Sequence, residues 1–376
     1  MWKKIFLIAL ISLSQLVFTG VSNERELIIT NFNDPLLAAI LAPATVVNGY
    51  TPCLLTYRDS LDEAIADFIE KYLPTKVYLV NVGGNVEKSI KTDKVVLRGD
   101  ACEIAFRVAE LWWGRPSEVV LAQGYESCLI GSSLASKIGC PLIPVDKGSL
   151  ETVKTKLLEW GVERVYTYNL DLHIGIGEEI RVEETLNYFV EEGGIKYLVV
   201  TEFEDENSVF GRLSIVSPLV AAIHKAPIID YSELENVWRE HRLETVCLVA
   251  GPDKIPIVKN GLKFAWINYD VTDAGENEKN QNLDRDLYVD IRLGRIMGEN
   301  PVVTSCLLAR TWCFRELESS LRGLSIYSVC PGCDEIADGR ISARTMTSLF
   351  REFCGESVLL EDASINEAIV EMEKSN

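Results

Sequence analysis

Residues Cys330, Pro331, Gly332 and Cys333 form a C-x-x-C motif, the pattern in this chain most clearly able to do chemistry. Between a strand and a helix, such a motif can exchange disulfides, because the helix N-terminus lowers a thiol pKa. Here three acidic residues at 334–338 precede the expected helix, and nearby acidic groups raise a thiol pKa. A structural disulfide, a redox pair, and free or metal-bound thiols therefore all stay open. One C-x-x-C does not supply a closed four-cysteine zinc site.

The chain has ten cysteines, and most lie within apolar patterns. A free buried cysteine behaves as a small hydrophobic residue, so we expect these to be core residues, with scattered disulfides an open alternative. They are Cys53, Cys128, Cys140, Cys247, Cys306 and Cys313.

The three histidines do not form a recognisable site. His173 lies in a loop-like stretch without cysteines or carboxylates at metal-ligand spacing, and His224 suits the C-terminus of a helix. Gly175 and Gly177 lack the third glycine of a dinucleotide fingerprint. The sequence thus predicts no metal and no cofactor.

A set of polar residues follows the first strand of each repeating unit described below. Loops at the carboxyl ends of parallel strands form the ligand crevice of such sheets, so these residues are candidates for a binding edge. The alternative is that they cap helices, because Asp and Asn satisfy free amides at helix starts. The set is Asn33, Asp34, Glu126, Asp205, Glu206 and Asn207.

The elements that would position these residues are clearest in the middle of the chain. Three short apolar runs, Val119–Ala122, Pro141–Val145 and Val165–Tyr168, alternate with two stretches of helical periodicity. Strands that alternate with helices predict βαβ units and a parallel sheet buried on both faces. The predicted fold class is therefore α/β.

This pattern occurs three times. In each copy a small-residue helix leads to a proline that opens an apolar strand, and Pro52, Pro141 and Pro227 lie 89 and 86 residues apart. A period this long predicts three small α/β domains rather than a solenoid. We place them at residues 23–97, 98–170 and 171–265. Within them, Ser60 with Glu63 has the spacing of a capping box, and 181–192 is expected to be a helix.

The middle copy resembles the type 2 cell-wall-binding repeat of bacterial and archaeal surface proteins. The resemblance rests on Arg98–Ala105, Lys137–Pro144 and Gly161–Tyr166. The first of these segments departs from the family pattern, since no Arg follows Asp100 and the Thr-Ala pair is absent. The resemblance implies a surface-anchored protein built from three such repeats.

Composition and the N-terminus limit the range of functions. The net charge of −19 argues against nucleic acid, and also against an acidic wall polymer, because both need clustered Lys and Arg. Lys3 and Lys4 precede a short apolar run, and Gly20 and Ser22 offer a cleavage site. Residues 1–22 are therefore predicted to be a signal peptide, with an uncleaved anchor as the alternative.

The C-terminal quarter has a different character. Residues 266–286 read as an acidic linker, and Asp286–Ile296 resembles a segment of gingipain-type cysteine peptidases, which have a caspase-like α/β fold. In that family the catalytic His and Cys follow later, and no His occurs here after His241. We therefore assign residues 287–376 to a partial peptidase-like segment, with strands at 324–329 and 357–360, a helix at 342–353 and no catalytic residues.

Together these patterns predict an exported cell-envelope or surface protein that binds or assembles through its repeats. Its partner would be an envelope polymer or another envelope protein, and no membrane span is expected after signal cleavage. The alternative is the front part of a split or truncated peptidase, completed by a downstream fragment. A third hypothesis is thiol-disulfide exchange at Cys330 and Cys333.

Overall fold

The structure is a computed structural model of the 376-residue chain. It describes residues 25–191, 194–255, 258–260, 263–265, 292–314, 316–317, 323–327 and 357–361, and single helical positions at 344–345, 347–348, 351, 367 and 370. The predicted signal peptide, the acidic linker and the C-x-x-C motif all lie outside these residues. The described residues divide into a larger compact unit, which comprises those within 25–65 and 73–306, and a smaller one, which comprises those within 66–72 and 307–370.

The first sheet has four parallel strands in the order β2-β1-β3-β4. Its elements are β1 (Glu26–Asn31), α1 (Leu37–Leu41), a 3-10 helix (Pro43–Val46), β2 (Cys53–Thr56), α2 (Glu63–Tyr72), β3 (Lys76–Val80), α3 (Gly84–Ser89) and β4 (Asp93–Leu97). The central strand β1 is buried at Leu27, Ile28 and Ile29, as a parallel strand covered on both faces requires.

The second sheet repeats this order as β6-β5-β7-β8. Its elements are α4 (Ala101–Trp113), β5 (Glu118–Ala122), α5 (Tyr125–Ile138), β6 (Leu142–Pro144), α6 (Leu150–Trp160), β7 (Arg164–Tyr168) and β8 (Glu178–Val182). The helix predicted at 181–192 is wrong. Residues 181–182 complete β8, which pairs with β7, and only a 3-10 turn, Thr185–Tyr188, follows.

The third sheet has the order β10-β9-β11-β14, again all parallel. Its elements are β9 (Leu198–Thr201), a 3-10 helix (Leu213–Val216), α7 (Ser217–His224), β10 (Ile228–Asp230), α8 (Leu234–Glu240), β11 (Thr245–Val249) and β14 (Arg292–Arg295). Two further strands, β12 (Val258–Asn260) and β13 (Lys263–Ala265), form an antiparallel pair. The fourth strand thus comes from beyond residue 265, where the third unit was expected to end.

Helix α9 (Pro301–Trp312) follows β14, and β15 (Gly323–Tyr327) pairs in parallel with β16 (Ser357–Glu361) in the smaller unit. The predicted α/β class with three small parallel sheets is confirmed. The exact domain boundaries stay a prediction.

Three helices hold the sheets together. Helices α1, α5 and α7 each follow the first strand of their sheet, and each of them contacts the other two. The three helices contain many small buried residues, among them Ala38, Ser132 and Ala221. Gly131 of α5 faces its own sheet, because an added Cβ would come within 3.2 Å of the Ala122 Cβ atom in β5. The absence of a side chain at Gly131 therefore allows α5 to pack closely on that sheet.

The outer edge of the first sheet is closed by α9. The backbone N–H of Leu55 in β2 donates to Ser305 Oγ at 2.9 Å, and both residues are fully buried. A parallel sheet edge inside a protein needs such a partner, because an unpaired buried amide is costly. The first and third sheets are thus linked through the helix that follows β14.

Candidate functional site

Each sheet has a switch point between its first and third strands, because the chain leaves these neighbouring strands in opposite directions. Crevices at the carboxyl ends of strands beside such a point are the usual ligand sites of open α/β sheets. The polar residues singled out from the sequence follow β1, β5 and β9, the first strands of the three sheets. Each therefore lies on one side of a switch point, and their role in binding stays a prediction.

In the first sheet, Asn33 is exposed and Asp34 is half-buried. The Asn33 N–H donates to Asn31 Oδ1 at 3.1 Å, and Asp34 Oδ1 accepts from the Leu36 N–H at 3.2 Å. Burial raises the pKa of Asp34. Asp34 shapes the turn ahead of α1 rather than occupying its N-cap position, which is Leu36.

In the second sheet, Glu126 lies in the first turn of α5 and is exposed. Its side chain makes no hydrogen bond or ion pair with any residue that the structure describes, and neither does the side chain of Asn207 in the third unit. Both side chains are therefore available to a partner without first breaking an internal contact.

Asp205 in the third unit is buried, with only 1% of its surface exposed. Its Oδ2 accepts from the Ser214 N–H and its Oδ1 from the Ser214 hydroxyl, both at 2.7 Å. Arg212 Nε lies 3.8 Å from Asp205 Oδ1, and the Arg212 guanidinium pairs with Glu206. Burial raises the pKa of Asp205, although its hydrogen bonds with Ser214 oppose that shift.

This cluster extends to the second unit through Tyr125, the first residue of α5. The Tyr125 hydroxyl lies 2.7 Å from Ser214 Oγ, and the Arg212 guanidinium lies 4.2 Å from the centre of the Tyr125 ring. Sequence reasoning missed Tyr125, Arg212 and Ser214, because nothing local marks a contact across 89 positions. Asp205 was a candidate for a polar binding edge or a helix cap, and the structure places its carboxylate inside the protein, where it is bonded to Ser214.

Two asparagines on the other side of the switch points were also missed. Asn81 follows β3 and Asn169 follows β7, and both adopt left-handed backbone angles, with φ of 52° and 45°. Asn81 Nδ2 donates to the Gly99 carbonyl, and Asn169 Nδ2 donates to Ser127 Oγ, each at 2.9 Å. An asparagine directly after an apolar strand is the signal that could have identified them, since Asn tolerates this conformation.

The carboxyl end of the third sheet is acidic. Burial raises the pKa of Glu202 and of Glu233, and the neighbouring Asp230 raises both further. Asp230 Oδ2 accepts from the Phe203 N–H at 3.1 Å, so its carboxylate is held in place. Such an edge offers hydrogen-bond acceptors to a cationic or hydroxyl-rich partner and repels a polyanion.

The described cysteines and histidines do not form a metal-binding site. All seven described cysteines are free thiols, and six of them are buried. Burial raises the pKa of Cys53 and of Cys128 to about 12. His173 is exposed and its Nδ1 lies 3.0 Å from Glu179 Oε2. Across the described ranges, no three His, Cys, Asp or Glu side chains are grouped closely enough to hold a metal ion.

The comparisons with known proteins add little. Within the described part of the chain, no helix has the length and apolar character needed to cross a bilayer. No family model matches the chain, and no curated protein matches it. Among solved structures, Cwp6 from Clostridium difficile is similar, with a TM-score of 0.48 and 12% sequence identity. The match covers 94% of this chain and 58% of Cwp6, and so faint a likeness carries no argument about function.

Proposed function

We propose that this chain is an exported cell-envelope or surface protein that acts by binding or assembly through its three α/β units. The observation that carries the proposal is the threefold repetition of one strand order, with α1, α5 and α7 packed against one another. The carboxyl ends of the strands in three similar sheets are thereby held in a fixed arrangement. Several weak sites held together bind a repetitive partner far more tightly than one site alone.

The loops that follow β1, β5 and β9, here called the strand-end loops, carry negative charge. This charge supports a partner without many negative charges of its own. Asp34, Glu126 and Glu206 lie at these ends, within a chain of net charge −19. A neutral, hydroxyl-rich envelope polymer or a basic envelope protein meets these acceptors without repulsion. The predicted signal peptide at residues 1–22 supports the other part of the proposal, that the chain is exported.

Two measurements test this proposal. The full chain, expressed with its leader in a bacterial host, should lose that leader and fractionate with the envelope. Purified protein should also sediment with the insoluble envelope fraction. A triple variant, Asn33→Ala, Glu126→Ala and Asn207→Ala, should sediment at least about tenfold more weakly, because three contributions are removed at once.

The matched control replaces three exposed residues that precede strands β2, β5 and β11, at the opposite ends of the sheets: Asn48→Ala, Ser117→Ala and Glu244→Ala. These substitutions should leave sedimentation unchanged. Equal binding by both triple variants would reject the strand-end loops as the binding surface. Retention of the full chain in the cytoplasm would reject export itself.

The alternative hypotheses have tests of their own. A split peptidase requires the genomic DNA after codon 376 to encode a further strand, a His-containing turn and a later Cys. Thiol-disulfide exchange requires Cys330 to react rapidly with a thiol probe in the folded protein. Both alternatives depend on residues outside the described part of the chain.

A further inference from the structure

A second surface, distinct from the strand-end loops, has the dimensions of a small-ligand site. An open cleft of about 610 Å³ lies between α4 and α6 in the second unit. This volume falls within the range of 300–1,000 Å³ that is usual for ligand pockets. Buried Phe106 forms part of its wall, and it packs edge-to-face against Trp160 at 5.7 Å. The cleft is lined by three cations and three carboxylates: Arg98, Arg107, Lys156, Glu103, Glu110 and Glu159.

Most of these charges already have partners. Lys156 Nζ lies 2.7 Å from Glu110 Oε1 and 3.3 Å from Glu159 Oε2. Arg98 pairs with Glu87. The Glu103 side chain belongs to the capping box at the start of its own helix, α4, where its Oε2 accepts from the Asp100 N–H at 3.2 Å.

Arg107 is the exception. Its Nη1 donates to the Arg98 carbonyl at 3.1 Å, but its guanidinium forms no ion pair with a described residue. The remaining donors of a guanidinium form a planar fork that fits one carboxylate in a bidentate manner. Thr152, also on the cleft wall, is exposed, and its hydroxyl makes no hydrogen bond within the described residues.

The surrounding carboxylates restrict which ligands can bind to Arg107. Glu103, Glu110 and Glu159 would repel a ligand with several negative charges, whereas a single carboxylate can reach Arg107 alone. A positive group elsewhere on the same ligand would be attracted by Glu103, whose carboxylate forms no ion pair with a described residue, whereas Glu110 and Glu159 are already paired with Lys156. The cleft therefore favours a ligand with one carboxylate and one ammonium group.

We propose that the cleft between α4 and α6 binds a short zwitterionic peptide, with its terminal carboxylate on Arg107 and its ammonium group toward Glu103. The cleft shares no lining residue with the loops that follow β1, β5 and β9. The protein would then have a peptide-end site in addition to the binding surface proposed above.

Calorimetric titration of the full chain with four probes tests this assignment. Trialanine should bind, while trialanine amide, which lacks the carboxylate, and N-acetyl-trialanine, which lacks the ammonium group, should each bind at least about tenfold more weakly. Poly-glutamate, the polyanion probe, should not bind at this cleft. Equal binding of trialanine and its amide, or no binding of trialanine at millimolar concentration, would overturn the proposal.

Variants locate the binding within the cleft. Arg107→Gln should weaken trialanine binding by at least about tenfold and leave the amide unaffected, because only the carboxylate contact is lost. Arg239→Gln, an exposed arginine of α8, serves as the matched control and should bind normally. Thermal melts of both variants establish that they are folded. Normal trialanine binding by folded Arg107→Gln would also overturn the proposal, whatever the outcome of the envelope experiments.

Discussion

The hydroxyl oxygens of Tyr125 and Ser214 lie 2.7 Å apart, although 89 positions separate the two residues in the chain. This contact joins the start of α5 in the second unit to the 3-10 helix before α7 in the third. Ser214 also donates to buried Asp205, so the hydroxyl pair connects a carboxylate of one unit to an aromatic ring of the other. The units are thus linked by a specific polar network as well as by helix packing.

Removal of this link should lower stability by a small, measurable amount. Tyr125→Phe should reduce the free energy of unfolding by about 1 kcal/mol, because one part-buried hydrogen bond is lost. Ser214→Ala should cost more, about 2 kcal/mol, since it also leaves Asp205 Oδ1 without its donor. Urea unfolding measures both. Tyr57→Phe, at an exposed tyrosine, is the control, and an equal loss there would argue against a role for the Tyr125 hydroxyl.

The pH dependence of stability should carry a contribution from Asp205. Burial raises its pKa in the folded state above the ordinary value of 3.8. Its contribution to stability is therefore full below that value and is lost as the pH rises through the folded-state pKa. The stability gap between wild type and Asp205→Asn should accordingly shrink from pH 3.5 upward, as followed by unfolding at successive pH values.

Asp146 provides a control of opposite sign. Its side chain accepts hydrogen bonds from the Ser149 N–H and hydroxyl, which lower its pKa. Its contribution is thus present above the ordinary pKa and lost as the pH falls. The gap between wild type and Asp146→Asn should widen with rising pH. Parallel trends in the two variants would contradict the assignment for Asp205.

The closure of the first sheet by α9 can be tested at Ser305. Ser305→Ala should cost about 1–3 kcal/mol, because the buried Leu55 N–H would lose its acceptor. Thr311→Ala on the same helix should change stability far less, since its exposed hydroxyl bonds only to Leu307 of its own helix. Equal effects in chemical unfolding would mean that the edge of β2 does not depend on α9.

The packing of α5 on strands β5 and β6 should not tolerate added volume at Gly131. An added Cβ would lie 3.2 Å from the Ala122 Cβ and 3.3 Å from Leu142 Cδ1. Gly131→Val should therefore cost about 1–3 kcal/mol through overpacking. At Gly84 in α3 an added Cβ meets nothing within 4 Å, so Gly84→Ala should stabilise by up to about 1 kcal/mol. Thermal unfolding of both variants should show shifts of opposite sign.

The described cysteines should be inert in the folded protein. Burial raises the pKa of Cys53 and Cys102 to about 12, and acidic neighbours add to the effect at Cys102. At pH 8 only about one thiol in ten thousand would then be ionised. Alkylation followed by peptide mapping should label neither residue until denaturant is added. Rapid labelling of Cys102 in the folded state would contradict this prediction.

Local sequence patterns were sufficient for the fold class and for the first three strands of each unit. Short apolar runs become buried strands wherever both faces of a parallel sheet are covered, so β1, β5 and β9 could be read directly. The recurring prolines likewise located β2, β6 and β10, because proline suits the entry of an edge strand. The candidate binding residues lie at strand ends because they follow β1, β5 and β9, which the apolar runs located.

Elements with little apolar patterning could not be assigned in this way. Residues 181–182 read as the start of a helix, but pairing with β7 makes them part of a strand. The capping box expected at Ser60 is absent: Asp62 Oδ1 accepts from the Ala64 N–H, and the full box lies at Asp100 and Glu103. Capping depends on backbone angles at the helix start, and these are fixed by the packing of the helix.

Contacts between distant segments were decided by the tertiary structure alone. The sequence by itself determined three α/β units, the first three strands of each and the polar residues that follow the first strand, because these follow from periodicity, proline placement and composition. Only the folded chain brings β14 beside β11, Ser305 to the edge of β2, and Tyr125 to Ser214. Such pairings depend on which surfaces meet, and no local pattern encodes a partner that lies 47 to 250 positions away.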